Sequence, residues 1–313
     1  MPPPPPSNHL TIAGSDAEKF RSGLLNAIGA YLLWGVFPLY FLLLRPAGGF
    51  EIVAWRVLFS LVFCVALLTV TRTWRPFLAV ARQPQPALLM GLAGALVFVN
   101  WLTYILATLS NQVVEASLGY FINPIVTVLL GVLVLRERLR MLQWAAIAVS
   151  AVAVVVLVVG HGTVPWIALI LALSFGGYGL VKKHAGPRVD AVSGLTLETA
   201  WLAPVAAVVL IVVGNTTGVV LGNAGVGNTV LLMLSGVVTA VPLLMFASAT
   251  RRIPLVYVGL IQFITPVMQF VIGVFVLHEP MPPERLAGFA IVWVALLILI
   301  IDMVRTARKV TAR

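Results

Sequence analysis

Charged residues are scarce in this sequence, and their scarcity excludes most classes of soluble protein. They make up 10% of the 313 residues, whereas hydrophobic residues make up 61% and the mean hydropathy is +1.07. An average soluble domain has roughly 25% charged residues, which cover its surface. A water-soluble fold of this length could not bury so much apolar side chain. The chain is therefore predicted to be an integral membrane protein.

The sequence also lacks any arrangement of residues that is typical of a catalytic or metal-binding site. The sequence has one cysteine, Cys64, which lies in an apolar run. Because a single cysteine has no partner in the chain, a disulfide or a thiolate metal site within the chain is excluded. No Walker A pattern occurs, so the chain is not predicted to be an ATP-driven pump. The four histidines all fall in the predicted tail or loops: His9, His161, His184 and His278. They form no metal-ligand spacing and no Ser–His–acid set. We predict no catalytic residue, no metal, no cofactor and no enzyme activity.

Ten apolar runs are long enough to cross a bilayer, which takes about 20 mostly apolar residues as a helix. Because the runs are continuous rather than alternating, they predict an all-α protein with ten transmembrane helices. The proline-rich residues 1–20 are predicted to form a disordered tail. The runs cover approximately 23–44, 50–71, 87–108, 113–135, 141–160, 164–181, 192–213, 226–249, 255–277 and 285–303.

The basic residues predict how the chain is oriented. If the N-terminus is cytoplasmic, all but three of the 20 lysines and arginines fall in the tails or in loops on the cytoplasmic side. The exceptions are Arg45 and Arg285 on the opposite side and Arg56 within the second run. The net charge of +10 therefore indicates topology rather than a nucleic-acid partner. Both termini, including a basic tail at 305–313, are predicted to be cytoplasmic.

The chain repeats itself at an offset of 142 residues. Residues 118–137 and 260–279 are identical at nine of 20 positions. The offset maps the first run onto the sixth, so the predicted repeats are 21–160 and 161–304, with five helices each. An odd number of helices gives the second repeat the opposite orientation in the membrane. Inverted repeats are typical of secondary transporters, whose central site opens to each side in turn.

Two charged residues within predicted spans are candidates for the substrate path. Arg56 and Glu198 are separated by the repeat offset, so the two halves carry opposite charges at equivalent positions. Charged side chains are costly inside a bilayer and should face the protein interior or a wet cavity. They either line the path or pair locally to fix helix packing, and Glu115 is a candidate local partner of Arg56. No direct bridge is expected, because helical rise places Arg56 and Glu198 at depths that differ by on the order of 10 Å.

Polar side chains in three further spans predict a site near the middle of the membrane. Those in the fourth and ninth spans lie beside Pro124 and Pro266, where proline loosens the backbone. The alternative is hydrogen bonding between helices, often worth about 0.6 kcal/mol in membranes. These further substrate-path candidates are Asn100, Tyr104, Tyr120, Asn123, Gln262 and Gln269.

Several long stretches carry a recognisable pattern, among them GAYLLWGVFPLYF, NWLTYI, EASLGYFINPIVTVLLGVLVLRERL and GLIQFITPVMQFVIGVFVLHEP. From about Gly23 to Asp302 the chain resembles the RarD family, in the EamA branch of the drug/metabolite transporter superfamily. The resemblance implies a multi-pass protein of the bacterial plasma membrane with two EamA repeats. It also implies export or exchange of small metabolites or drugs. It carries no binding residue over to this chain.

Function is predicted as secondary transport of a small molecule by alternating access. Coupling to protons, with Glu198 or Glu115 as the titrating group, and uncoupled flux are both compatible with the sequence. A lipid scramblase or flippase of the same fold is the alternative, and it would need a polar groove open to lipid. A membrane enzyme would need paired acids or a nucleophile set, and the sequence offers neither. The predicted partners are a small-molecule substrate and the lipid bilayer, and no oligomeric state is predicted.

Overall fold

The regular structure of the described residues is helical throughout. The computed structural model describes residues 9–135, 141–161, 164–185, 189–250, 252–253, 258 and 261–311. The first half contains α1 (His9–Gly35), α2 (Phe37–Leu43), α3 (Gly49–Val70), α4 (Trp74–Ala81), α5 (Pro84–Leu109), α6 (Val113–Leu135) and α7 (Met141–His161). The second half contains α8 (Trp166–Ala185), α9 (Ala191–Thr216), α10 (Val226–Thr250), α11 (Ile264–Val271), a π-helical turn (Ile272–Val276) and α12 (Pro283–Thr311).

A helix lies within each of the ten predicted apolar runs. By length and composition, α3, α5, α9, α10 and α12 can cross a membrane, and the bent pair α1 and α2 makes a sixth crossing if it counts as one span. Shorter apolar helices occupy the runs of α6, α7, α8 and α11. The chain is therefore a multi-pass, all-helical membrane protein. Local signals explain several helix starts: Pro84 opens α5, and the Asp190 carboxylate accepts from the backbone N–H groups of Val192 and Ser193 at the start of α9.

The first helix differs from its prediction at both ends. It begins at His9, so part of the predicted disordered tail at 1–20 is helical, while residues 1–8 lie outside the described residues. This segment contains Ala17, Glu18 and Lys19, which favour helix, and no proline. The predicted single span is broken near Val36, where α1 and α2 meet at a bend of 43°. Pro38, in the first turn of α2, has no N–H to continue the hydrogen bonds of α1.

The two halves of the chain pack on each other through equivalent helices. The repeat offset pairs α1 and α2 with α8, α3 with α9, α5 with α10, α6 with α11 and α7 with α12. Contacts join α3 to α9, α6 to α11 and α7 to α12 directly. Other contacts occur in pairs that the repeat offset converts into each other. The contact of α5 with α8 corresponds in this way to that of α1 with α10. The contact of α3 with α10 corresponds to that of α5 with α9. A buried apolar cluster spans both halves and includes Phe41, Ile52, Trp101, Leu171 and Leu232.

Glycines allow two of these equivalent crossings to be close. A Cβ atom at Gly236 of α10 would lie 2.3 Å from the carbonyl carbon of Phe59 in α3. A Cβ atom at Gly94 of α5 would lie 2.9 Å from the carbonyl oxygen of Glu198 in α9. Gly94 and Gly236 are separated by the repeat offset. The two halves therefore use the same small residue at the same place to bring central helices together.

A buried carboxylate joins the end of the π-helical turn to the start of α6. The two carboxylate oxygens of Glu279 accept from the backbone N–H of Val113 at 2.6 Å and of Val114 at 2.8 Å. These are N–H groups of the first turn, which have no partner within their own helix. The negative charge also lies favourably at the positive end of the helix dipole. Glu279 thus fixes the start of α6 to the second half of the chain.

Replacing Glu279 with glutamine is expected to lower the free energy of unfolding by about 1–3 kcal/mol, since one buried N–H group then faces an amide donor. Unfolding of the purified protein in mixed micelles measures this change. Glu284→Gln is the matched control, because Glu284 is exposed in the first turn of α12 and its loss should cost under about 1 kcal/mol. Equal losses in the two variants would contradict the proposed anchoring role of Glu279.

Candidate functional site

Arg56 lies at the centre of the candidate site, on α3. Its side chain is 3% exposed, and its Nε donates a hydrogen bond of 2.7 Å to Oγ1 of Thr239 on α10. The guanidinium carbon lies 4.2 Å from the ring centroid of Trp101 on α5. It lies 5.5 Å and 5.4 Å from the ring centroids of Phe37 and Phe41 on α2. The two halves of the chain therefore both contribute to the surroundings of one buried cation.

The described residues supply no carboxylate to this cation. Arg56 makes no ion pair with any of them, and Thr239 is its one hydrogen-bond acceptor there. Glu115, the candidate local partner, instead accepts from the backbone N–H of Ile167 at 3.2 Å, at the start of α8. The aromatic rings stabilise the charge of Arg56 through their negative faces, by about 2 kcal/mol for a desolvated contact. The guanidinium has five N–H donors, however, and rings do not replace the acceptors that most of them lack.

Two tyrosines and an asparagine continue the site from Arg56 toward α8. The Tyr120 hydroxyl donates to Oδ1 of Asn100 at 3.1 Å, and Nδ2 of Asn100 donates to Oγ of Ser174 and to the carbonyl oxygen of Leu171. The Tyr104 ring lies edge-on to Tyr120, with 5.7 Å between centroids. The Tyr104 hydroxyl is buried without a hydrogen-bond partner in the described part of the chain. Tyr104 and Tyr120 both lie within electrostatic reach of Arg56. Four of the predicted path residues, Arg56, Asn100, Tyr104 and Tyr120, therefore lie together.

Glu198 belongs to a second charged group between α8 and α9. It is 1% exposed, and its Oε1 lies 2.6 Å from Nζ of Lys182. Its Oε2 accepts from the Tyr178 hydroxyl at 3.3 Å. Glu198 and Arg56 form no direct bridge, and each has its own partners among the described residues. The local pairing considered for Glu198 is therefore present, and its partner is Lys182.

A row of aromatic rings connects the two charged groups. Successive ring centroids are 5.7 Å apart from Tyr104 to Tyr120, 6.1 Å from Tyr120 to Phe175 and 5.9 Å from Phe175 to Tyr178. The row begins beside Arg56, through the contact of Phe41 with Tyr104 at 6.0 Å, and ends at the hydroxyl bonded to Glu198. Arg56 and Glu198, which occupy equivalent positions in the two repeats, thus lie at opposite ends of one aromatic row.

The remaining predicted residues lie outside this row. The amide oxygens of Asn123 and Gln269 are buried, and no described residue donates a hydrogen bond to them. Nε2 of Gln269 donates to the carbonyl oxygen of Trp34 at 3.2 Å, and so ties α11 to α1. Gln262 is half-buried, and among the described residues its side chain makes no hydrogen bond. Asn123 lies beside Gly176 of α8, where a Cβ atom would be 3.5 Å from its amide oxygen.

The chain is similar to several known proteins. Residues 21–159 match the EamA-like transporter family. The chain is 46% identical to a protein RarD of Streptomyces exfoliatus, over 94% of this chain and 92% of the other. It is 38% identical to protein RarD of Escherichia coli (strain K12), over 94% of this chain and 99% of the other. The chain belongs to the RarD family of EamA-like transporters. It is a membrane transporter of the drug/metabolite type.

A further relative agrees with this membership, and a solved structure shares the fold. An uncharacterized transporter, YojE, of Bacillus subtilis (strain 168) is 38% identical over 92% of this chain and 96% of its own length. A crystal structure of a protein 18% identical superposes with a TM-score of 0.56, covering 88% of this chain and 96% of that one. At that identity the structural likeness concerns the fold alone. The RarD resemblance expected from the sequence motifs is thus confirmed.

Sequence reasoning about this RarD-family chain missed several residues that build the site. Lys182 was counted with the basic residues of the cytoplasmic loops, yet it pairs with Glu198. Tyr178 lies in a glycine-rich stretch of α8, and its spacing gives no sign of the hydrogen bond to Glu198 on α9. Thr239 corresponds to Val97 in the first repeat, so the repeat gave no signal for it.

Proposed function

We propose that this RarD-family chain is a secondary transporter that exports or exchanges small metabolites or drugs by alternating access. Its substrate site lies around Arg56, between the two halves of the chain. The observation that carries the proposal is a cation 3% exposed, in contact with rings from two helices, with no carboxylate partner among the described residues. A structural arginine at such a position would be expected to pair with an acid, because an uncompensated buried charge is costly.

The proposal includes ten crossings in two inverted repeats, with both termini in the cytoplasm of a bacterial cell. The packing of the helices supports this arrangement. If a two-fold axis relates the halves, each contact either joins two equivalent helices or has an equivalent contact elsewhere. The contacts of α3 with α9 and of α6 with α11 join equivalent helices. The uneven distribution of basic residues supports the same orientation. In an inverted repeat, a contact that closes the site toward one side of the membrane has an equivalent that closes it toward the other.

Arg56 and Glu198 are assigned to the two ends of the path on this basis. The bond from Arg56 to Thr239 joins α3 to α10, and the pair of Glu198 with Lys182 joins α9 to α8. Rocking of one half against the other would alter the contact of Arg56 with Thr239, which crosses the halves, whereas the pair of Glu198 with Lys182 lies within the second half. Proton coupling is assigned to Glu198, because its carboxylate is paired with the side chain of Lys182 and lies at the end of the aromatic row, whereas Glu115 accepts from the backbone at the start of α8. The proposal involves no covalent chemistry.

One groove among the described residues bears on the lipid-handling alternative. A groove of about 590 Å³ lies between the start of α3 and the end of α9. Five valines contribute to its lining, Val208, Val209, Val212, Val213 and Val220, together with the polar residues Glu51, Thr216 and Thr217. A scramblase needs a polar groove that carries headgroups, and the lining of this one is mostly apolar. Lipid scrambling is therefore kept as an outcome of the experiment below.

Efflux from sealed liposomes tests the proposal. Vesicles containing the purified protein are loaded with a mixed pool of amino acids and small drugs, a pH gradient is imposed, and efflux is followed by mass spectrometry. We expect selective efflux above protein-free vesicles, lowered about tenfold or more by Arg56→Gln, since hydrogen bonds to a charged group contribute about 1.5–3 kcal/mol. Arg75→Gln is the matched control, because Arg75 is exposed in the first turn of α4.

Two outcomes would overturn the proposal. One is the absence of efflux above protein-free vesicles when Arg75→Gln and the unmodified chain both melt cooperatively. The other is rapid movement of a fluorescent phospholipid between leaflets of the same vesicles without solute efflux, which would favour the scramblase. Glu198→Gln separates the coupling mechanisms: loss of the response to the pH gradient, with efflux retained, supports proton coupling through Glu198.

A further inference from the structure

The unused donors of Arg56 indicate what the site binds. A guanidinium has five N–H donors in one plane, and among the described residues Thr239 accepts from Nε alone. The edge of the guanidinium that carries the two terminal nitrogens has no protein acceptor there. The side chain is 3% exposed, so bulk water does not supply the missing acceptors either. A buried donor edge of this kind matches a ligand with two acceptor atoms in one plane.

We propose that the ligand of this site is a small organic monoanion, a carboxylate attached to an apolar or aromatic body. This inference rests on the proposed function and names its substrate class. The carboxylate pairs with Arg56 through two parallel N–H···O bonds, the geometry for which the guanidinium is preorganised. The Tyr104 ring contacts Phe41, and its hydroxyl, buried without a hydrogen-bond partner among the described residues, is a further donor in this region.

The surroundings of Arg56 favour a single negative charge. Lys182, the cation at the far end of the aromatic row, is already paired with Glu198. A phosphate dianion would leave about one charge uncompensated in a site from which water is largely excluded, which is costly. A cationic ligand would meet the charge of Arg56 with no described acid beside it. A neutral ligand would leave the cation as poorly compensated as before.

The walls of the site favour an apolar body. Trp101 and Phe41 lie against the guanidinium, and Tyr104 and Tyr120 follow in the aromatic row. Ring faces and edges contact flat or aliphatic groups well, and ligand sites typically combine such walls with a few placed polar groups. The carboxylate end and the apolar end of the ligand would thus be recognised by different helices.

Binding of matched acids and amides tests the inference. Isothermal titration calorimetry on the full chain in detergent compares three pairs: acetate and acetamide, phenylacetate and phenylacetamide, and indole-3-acetate and indole-3-acetamide. We expect each aromatic acid to bind about tenfold or more tightly than its amide, because the charge-assisted bonds are lost in the amide. Arg56→Gln should abolish that preference, Arg56→Lys should retain a weaker one, and Arg75→Gln should leave it unchanged.

A second variant keeps the test decisive if Arg56→Gln fails to fold. Trp101→Leu should weaken phenylacetate and indole-3-acetate and preserve the preference of acid over amide, because it alters the wall and not the charge. Equal binding of acid and amide, or no binding of any pair to a protein that melts cooperatively, would overturn the inference.

Efflux separates this inference from the proposed function. Arg56-dependent efflux of neutral or cationic solutes alone would leave the transporter standing and overturn the anion site. Acid binding without efflux of any solute would leave the anion site standing and overturn the transporter.

Discussion

Gly236→Ala is expected to lower the free energy of unfolding by about 2–3 kcal/mol, although it adds one methyl group. The added carbon would lie 2.3 Å from the carbonyl carbon and 2.4 Å from the carbonyl oxygen of Phe59, and 2.6 Å from the backbone nitrogen of Ser60. These are backbone atoms of a central helix, so no side-chain rotation relieves the contact. The helices α3 and α10 must therefore move apart.

The same movement should reach the candidate site. Thr239 follows Gly236 by three residues on α10 and accepts the hydrogen bond of Arg56 across the same crossing. Separation of α3 and α10 lengthens that bond, so efflux should fall together with stability. Gly236→Ala is thus expected to affect both properties, whereas Glu279→Gln, which acts at the start of α6, should mainly affect stability.

Gly227→Ala is the matched control in the same helix. A Cβ atom at Gly227 would meet no atom within 4 Å, so the substitution should stabilise the helix by up to about 1 kcal/mol. Gly94→Ala should fall between the two, since its nearest contact is 2.9 Å. Unfolding in mixed micelles measures all three. A Gly236→Ala protein as stable as Gly227→Ala would contradict the close crossing of α3 and α10.

The sequence predicted the helices of this chain better than their interruptions. Apolar run length is a property of neighbouring residues, and each predicted run contains a helix. The bend near Val36 depends on Pro38. Proline also occurs within unbroken helices, however, as Pro204 does in α9. Proline therefore marks a place where a helix can bend, and neighbouring helices decide whether it does.

The site was predicted in part for a similar reason. The repeat offset and the cost of buried charge singled out Arg56 and Glu198, and polar residues within the apolar runs singled out Asn100, Tyr104 and Tyr120. The partners lie far away in sequence: Thr239 is separated from Arg56 by 183 positions. Threonine is common in membrane helices as an ordinary packing residue. Nothing local distinguishes Thr239 from the others, so its role required the packing of α3 on α10.

Lys182→Met is expected to be the second strongly destabilising substitution, lowering the free energy of unfolding by about 3 kcal/mol. It leaves the Glu198 carboxylate 1% exposed with no cation, and the Tyr178 hydroxyl as its remaining side-chain donor. Glu198→Gln should cost less, because the Lys182 side chain is 32% exposed and its ammonium can turn toward water.

The double variant should be more stable than Lys182→Met, because it no longer buries an unpaired charge. This double-mutant cycle, measured by unfolding in mixed micelles with Arg75→Met as the exposed control, separates the ion pair from the packing of the lysine stem. Equal costs for the two single variants would show that burial of Glu198 does not set the energy of the pair, and would return Glu198 to the role of an ordinary packing residue.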